Sequence, residues 1–129
     1  KVATLKNASL VCLFLAASAC VSVSVDDLVS AAAPPSPQVR ARIVEAARDA
    51  LLDPYSVRDA EISYVGVFQN GLQFVCVRAN AKNAFGGYTG RDTLAVYMKD
   101  NVPTGSGRNP QLCNNANLRW TKFQELEDL

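Results

Sequence analysis

The sequence predicts an α+β domain: one N-terminal amphipathic helix packed on a small antiparallel sheet of three to four strands, with one disulfide. Three observations carry this. Apolar residues recur at helical spacing after Ser36-Pro37. Asn70-Gly71 stands between two β-rich apolar runs, as in a hairpin. Two cysteines, Cys76 and Cys113, lie in the body of the chain.

The helix comes first. Ser36 suits the capping position and Pro37 the first helical one. Val39, Ile43, Ala46, Ala47, Ala50 and Leu51 then form one face, and Arg40, Arg42, Glu45, Arg48 and Asp49 the other. That period of 3.6 marks an amphipathic helix with a core side. Pro54 disfavours helical geometry at Asp53 and ends it.

The hairpin follows. A two-residue Asn70-Gly71 turn predicts Val67 opposite Phe74, Val65 opposite Cys76 and Tyr64 opposite Val77. One face then carries Ile62, Tyr64, Phe68, Val75, Val77 and Ala79. The other carries Val65, Val67, Phe74 and Cys76, and turns polar at Ser63 and Arg78. A third strand is expected over residues 93–99, where Leu94, Val96 and Met98 alternate with Ala95 and Tyr97. Residues 101–110 read as a long polar loop. The tail reads as a short strand over 118–122, then a frayed or helical end.

Residues 1–19 read as an export signal. Lys1 and Lys6 supply a basic start, residues 10–17 a short apolar run, and Ala17-Ser18-Ala19 the small residues a signal peptidase needs. The run falls short of the ~20 apolar residues of a transmembrane helix. The segment resembles a bacterial lipoprotein signal, with Cys20 as the lipidated residue. It departs from that family at Ala17, where Leu is usual. Ala17 and Ala19 also fit ordinary cleavage, which would give a secreted soluble protein with a free thiol. The resemblance, together with Val21 after the cysteine, implies an outer-membrane lipoprotein facing the periplasm of a bacterial cell envelope. Residues 20–35, rich in Ser, Ala and Pro, are expected to form a flexible tether, and residues 36–129 a single small domain.

Cysteine use agrees with export. Cys12 leaves with the signal, and an oxidising compartment favours a Cys76–Cys113 bond. Cys20 is then the odd cysteine, and acylation accounts for it. The chain's formal charge of +1 becomes weakly negative once Lys1 and Lys6 are removed. The charges alternate in sign, and no basic face of the kind nucleic acid requires is present.

Residues 80–92 stand out. They connect two strands but are far longer than a hairpin needs, and they hold three glycines, two asparagines and two aromatics. Long loops of this kind on a rigid sheet often carry function. Lys82, Asn83, Phe85, Tyr88 and Arg91 are the candidate binding residues. The competing reading is structural: the glycines make a wide turn, Phe85 and Tyr88 tuck onto the sheet, and Asn80 and Asn83 satisfy backbone groups. Gly86-Gly87-Tyr88-Thr89-Gly90 is no phosphate cradle, since it lacks Gly-Lys-Ser/Thr leading into a helix. The run Asn-Ala-Lys-Asn-Ala-Phe-Gly-Gly-Tyr-Thr-Gly resembles a motif of small, uncharacterised exported bacterial proteins and lipoproteins. In them it often follows a helix ending Leu-x-Asp-Pro-x-Ser, here Leu51 to Ser56. The resemblance implies a recurring fold and no activity.

The chain has no histidine. That removes the commonest general base, the Ser-His and Cys-His pairs and the usual zinc ligands. Asp49, Asp53, Asp59, Glu61 and Asp92 remain as acids or bases. No cofactor or metal is expected. The leading expectation is a lipid-anchored binding or structural module, recognising an envelope protein or peptidoglycan through residues 80–92. The alternatives are an inhibitor of an incoming hydrolase such as lysozyme, and a carboxylate-based enzyme.

Overall fold

The computed structural model describes residues 22–129. The expected signal, its expected cleavage site and Cys20 lie outside the described residues. The protein is α+β, built on a six-stranded antiparallel sheet with one disulfide.

Strands β1 (Arg58–Ser63), β2 (Gly66–Val67), β3 (Gln73–Asn80), β4 (Asp92–Lys99), β5 (Val102–Gly107) and β6 (Trp120–Lys122) pair in the order β5-β4-β3-β1-β6, with β2 also on β3. Among the described residues four α-helices attend them: α1 (Val25–Ser30), α2 (Pro37–Ala50), α3 (Pro110–Cys113) and α4 (Gln124–Glu127). The sheet has two covered faces. On one, Val39, Ile43 and Val44 of α2 bury against Ala60, Ile62, Val75, Met98, Phe123 and Leu126. On the other, Val29, Leu112 and Leu118 close over Phe74, Cys76 and Ala95.

Helix α2 starts where the Ser36 hydroxyl accepts from the Val39 amide at 3.2 Å, with Pro37 in its first turn. It ends at Leu51, just before Asp53-Pro54. Arg40 then ties it to the far edge of the sheet, pairing with Glu125 at 2.6 Å and donating to the Lys122 carbonyl at 2.7 Å.

Four sequence expectations are corrected. The sheet has six strands, not three to four. The hairpin turn has three residues between Phe68 and Leu72, whose backbones bond at 2.8 Å. Asn70 accepts from the Leu72 amide through its side chain, and Gly71 takes a left-handed φ of 83°. This is the three-residue turn that carries one more residue than the expected type. The register moves accordingly to Gly66 opposite Phe74 and Val67 opposite Gln73. The phenyl ring of Phe74 occupies the space a Cβ at Gly66 would need, at 2.3 Å, so only glycine fits there. A further slip puts Ile62, not Tyr64, opposite Val77. Phe68 consequently falls on the Phe74 face, with ring centroids 5.1 Å apart.

Residues 102–107, expected as loop, form β5. Asp100 and Asn101 both take positive φ, at 50° and 63°, and make the tight turn from β4. The composition hid this strand because β5 contributes backbone rather than an apolar stripe. An edge position also tolerates Pro103. Finally, part of the stretch expected as tether is structured. Ser24 and Asp27 form a reciprocal capping box on α1, and Val29 is buried. Ala33 then pairs with Val65 as an isolated bridge.

Candidate functional site

The face of the sheet under α2 is only half covered. Toward β4 and β5, α2 presents Ala46, Ala47 and Ala50, whose small side chains fill less of the space above the sheet than leucines would. The result is a groove of about 500 Å³. Val77 and Ala79 of β3 and Leu94 and Val96 of β4 floor it. Pro103 and Gly105 of β5 form the far wall. Ligand pockets typically occupy about 300–1,000 Å³, with apolar linings and a few polar groups at the rim. Here the polar groups are Asn83, Thr89, Asp92 and Ser106. Three of these four belong to the segment 80–92, which therefore forms one lip of the groove.

That segment is held from within. A bridge between Lys82 and Tyr88 closes its base. Asn83 accepts from the amides of Phe85 and Gly87 at 3.0 and 3.1 Å. Gly86 and Gly90 take left-handed φ values of 75° and 104°, which explains glycine at both positions. Two hydrogen bonds then fasten the loop to the turn after α2. The Lys82 amide donates to the Ser56 hydroxyl at 2.9 Å, and the Tyr88 hydroxyl donates to the Ser56 carbonyl at 2.7 Å. The guanidinium of Arg58 lies 3.5 Å from the centre of the Tyr88 ring.

The five candidate binding residues thus part company. Asn83 and Tyr88 act as struts that shape the lip. Arg91 pairs with Glu61, which also takes Arg78 Nε at 2.6 Å. Those two arginines hold the Glu61 carboxyl below the usual glutamate range, the Arg78 hydrogen bond contributing most, with burial working against them. Arg78 in turn stacks 4.0 Å from the centre of the Trp120 ring. Phe85, which the structural reading of the loop tucks onto the sheet, is instead 98% exposed at the loop tip. It points outward because Asn83 spends its side chain on the loop's own amides and leaves Phe85 at the apex. Lys82 shares the Tyr88 ring with Arg58, at 5.9 Å. Asn80 satisfies no backbone group: it is buried and its Oδ1 has no partner among the described residues.

Cys76 and Cys113 are bonded, 37 residues apart in sequence, on the face opposite the groove. They pin α3 to β3. Among the described residues no three His, Cys, Asp or Glu side chains cluster as a metal site would require. No helix among them is long and apolar enough to cross a membrane.

Sequence reasoning missed the groove itself. Val77, Ala79, Leu94 and Val96 read in the sequence only as apolar positions alternating along strands. The signal that could have found it is the run of small residues Ala46, Ala47 and Ala50 on the helix facing them. No family model, curated protein or solved structure matches this chain.

Proposed function

We propose that this protein is an exported binding module of the bacterial cell envelope, anchored through Cys20, that takes an apolar, chain-like small molecule into the groove between α2 and the sheet. The groove is the observation that carries this reading. Its floor of Val77, Ala79, Leu94 and Val96 is only partly buried by the protein's own side chains. A ligand lying on it would remove that apolar surface from water at about 25 cal/mol per Å². The rim supplies Thr89, Ser106 and the side-chain amide nitrogen of Asn83 for a polar head, while Asp92 there is already paired with Arg108 at 2.7 Å. The segment 80–92 serves recognition as the lip of the groove, with Asn83 and Tyr88 holding its shape.

The hydrolase-inhibitor reading needs a side chain from this loop to plug a sugar cleft. Tyr88, the residue it would use, is tied to Ser56. Phe85 projects in its place and offers no hydroxyl to a sugar. The carboxylate-enzyme reading needs a poised acid, and Glu61 is neutralised by two arginines. Recognition of an envelope protein or of peptidoglycan would use the outer surface of residues 80–92 and leave the groove empty.

The test is an equilibrium titration of the chain with a fluorescent straight-chain fatty acid, repeated for Ala46→Phe. Ala46 is an exposed groove-wall residue, so a phenyl ring there fills the groove without entering the core. Saturable binding to the parent that the substitution abolishes supports the reading. Non-saturable uptake, or equal binding by the variant, removes it.

A further inference from the structure

Three large apolar side chains project from one end of the protein. Phe85 is 98% exposed, Leu52 78% and Tyr55 74%. Leu52 and Tyr55 sit in the turn between α2 and β1, and Phe85 at the tip of residues 80–92. These are two separate segments of chain. Ser56 joins them through its carbonyl to Tyr88 and its hydroxyl to the Lys82 amide. The two segments are therefore fixed to one another, and the entropy of bringing them together is spent in folding rather than on contact with a partner.

We infer that this end is a membrane-docking knuckle, with Phe85, Tyr55 and Leu52 entering the interfacial layer of a lipid bilayer. The shape favours a bilayer over a protein partner. A stable protein interface needs a contiguous complementary patch of roughly 800 Å² per partner. Here separate side chains stand out from loop tips, a form suited to a fluid surface that closes around each one. Aromatic residues with a polar edge suit the headgroup level, and Tyr55 has that form beside the wholly apolar Phe85 and Leu52.

The local charges set the lipid dependence. Lys82 and Arg58 flank the knuckle, with Arg58 resting on Tyr88. Asp53 in the same turn and Asp59 beside Arg58 on β1 offset them. With no excess of cations, apolar insertion rather than headgroup charge drives the contact. The knuckle also adjoins the groove, because Leu51, Ala81, Asn83, Thr89 and Gly90 line its near end. Docking would set that opening against the bilayer. The inference stands on the exposed side chains and does not depend on what the groove holds.

The N-terminal segment would itself carry the chain to vesicles, so total binding reads the wrong contact. The readout must be local. Phe85→Trp reports from the knuckle, and the parent's Trp120 emission provides the baseline. Vesicles of phosphatidylcholine, with and without phosphatidylglycerol, carry bromine on their acyl chains. The expected result is a blue shift and loss of most of the added emission on both compositions. A second variant, Phe85→Trp with Tyr55→Ser and Leu52→Ser, is expected to recover much of that emission. Emission that stays water-like and unquenched on both vesicles overturns the inference. A blue shift already present without lipid, growing with protein concentration, would assign the knuckle to a second copy of the chain and also overturn it. Quenching confined to phosphatidylglycerol vesicles would replace apolar insertion by charge attraction.

Discussion

The hydroxyl of Tyr88 donates to the carbonyl of Ser56 at 2.7 Å across 32 residues of sequence. This bond fastens the lip of the groove to the turn after α2. Tyr88→Phe removes it alone and is expected to cost about 0.5–1.5 kcal/mol in denaturant unfolding. Tyr88→Ala also removes the face on which Arg58 lies, adding about 0.5–1 kcal/mol for an exposed cation–π contact. A Tyr88→Phe variant as stable as the parent would show that the lip is fastened elsewhere.

Ser63 repairs a gap in the sheet. Between β1 and β2 the chain breaks its pairing with β3, and Val65 pairs with Ala33 there. The buried Ser63 hydroxyl accepts from the Cys76 amide at 2.7 Å, standing in for the missing ladder partner. Ser63→Ala leaves that buried amide unpaired, at a cost of about 1–3 kcal/mol. The expected signs are a lower denaturation midpoint and faster hydrogen exchange at Cys76. Unchanged exchange there would mean that another acceptor serves the amide.

The Cys76–Cys113 bond closes a separation of 37 residues. On the chain-entropy account this contributes about 3–4 kcal/mol. Reductant, or Cys113→Ser with Cys76→Ser, is expected to lower the melting temperature and to release α3 first. The groove lies on the other face, so ligand affinity measured well below the melting temperature should change little.

Acid should weaken the fold through Glu61 and Glu125. Both carboxyls lie below the usual glutamate range in the folded state, Glu61 chiefly by the Arg78 hydrogen bond and Glu125 chiefly by that of Arg40. Their stabilisation is complete above the ordinary value of about 4.3 and is lost as pH falls through the lower folded values. Glu61→Gln should flatten the acid limb of a stability-versus-pH curve. An unchanged acid limb would mean that the pairs with Arg78 and Arg91 contribute nothing measurable.

The α+β class and the disulfide were legible from turn chemistry and cysteine arithmetic. The third strand was legible because Leu94, Val96 and Met98 alternate against Ala95 and Tyr97. What failed was what side-chain pattern does not encode. Whether Asn70-Gly71 spans two or three residues depends on Asn70 folding its side chain back to the Leu72 amide. Strand β5 is made by backbone pairing of Gly105, Ser106 and Gly107 with β4, where no apolar alternation announces it. The prominence of residues 80–92 was readable from their glycines, but not the division of labour within them. Asn83 and Tyr88 turn inward to the chain's own amides and carbonyls, while Phe85 is left at the tip. The groove was hidden because a half-covered apolar strand and a fully covered one have the same sequence.

The most direct test is nuclear magnetic resonance mapping of the isotope-labelled chain during titration with a straight-chain fatty acid. The account predicts saturable shifts concentrated at Ala46, Ala50, Val77, Ala79, Leu94 and Val96, with Phe74, Leu112 and Leu118 on the opposite face unmoved. Shifts centred on that opposite face, or none at all, would contradict it.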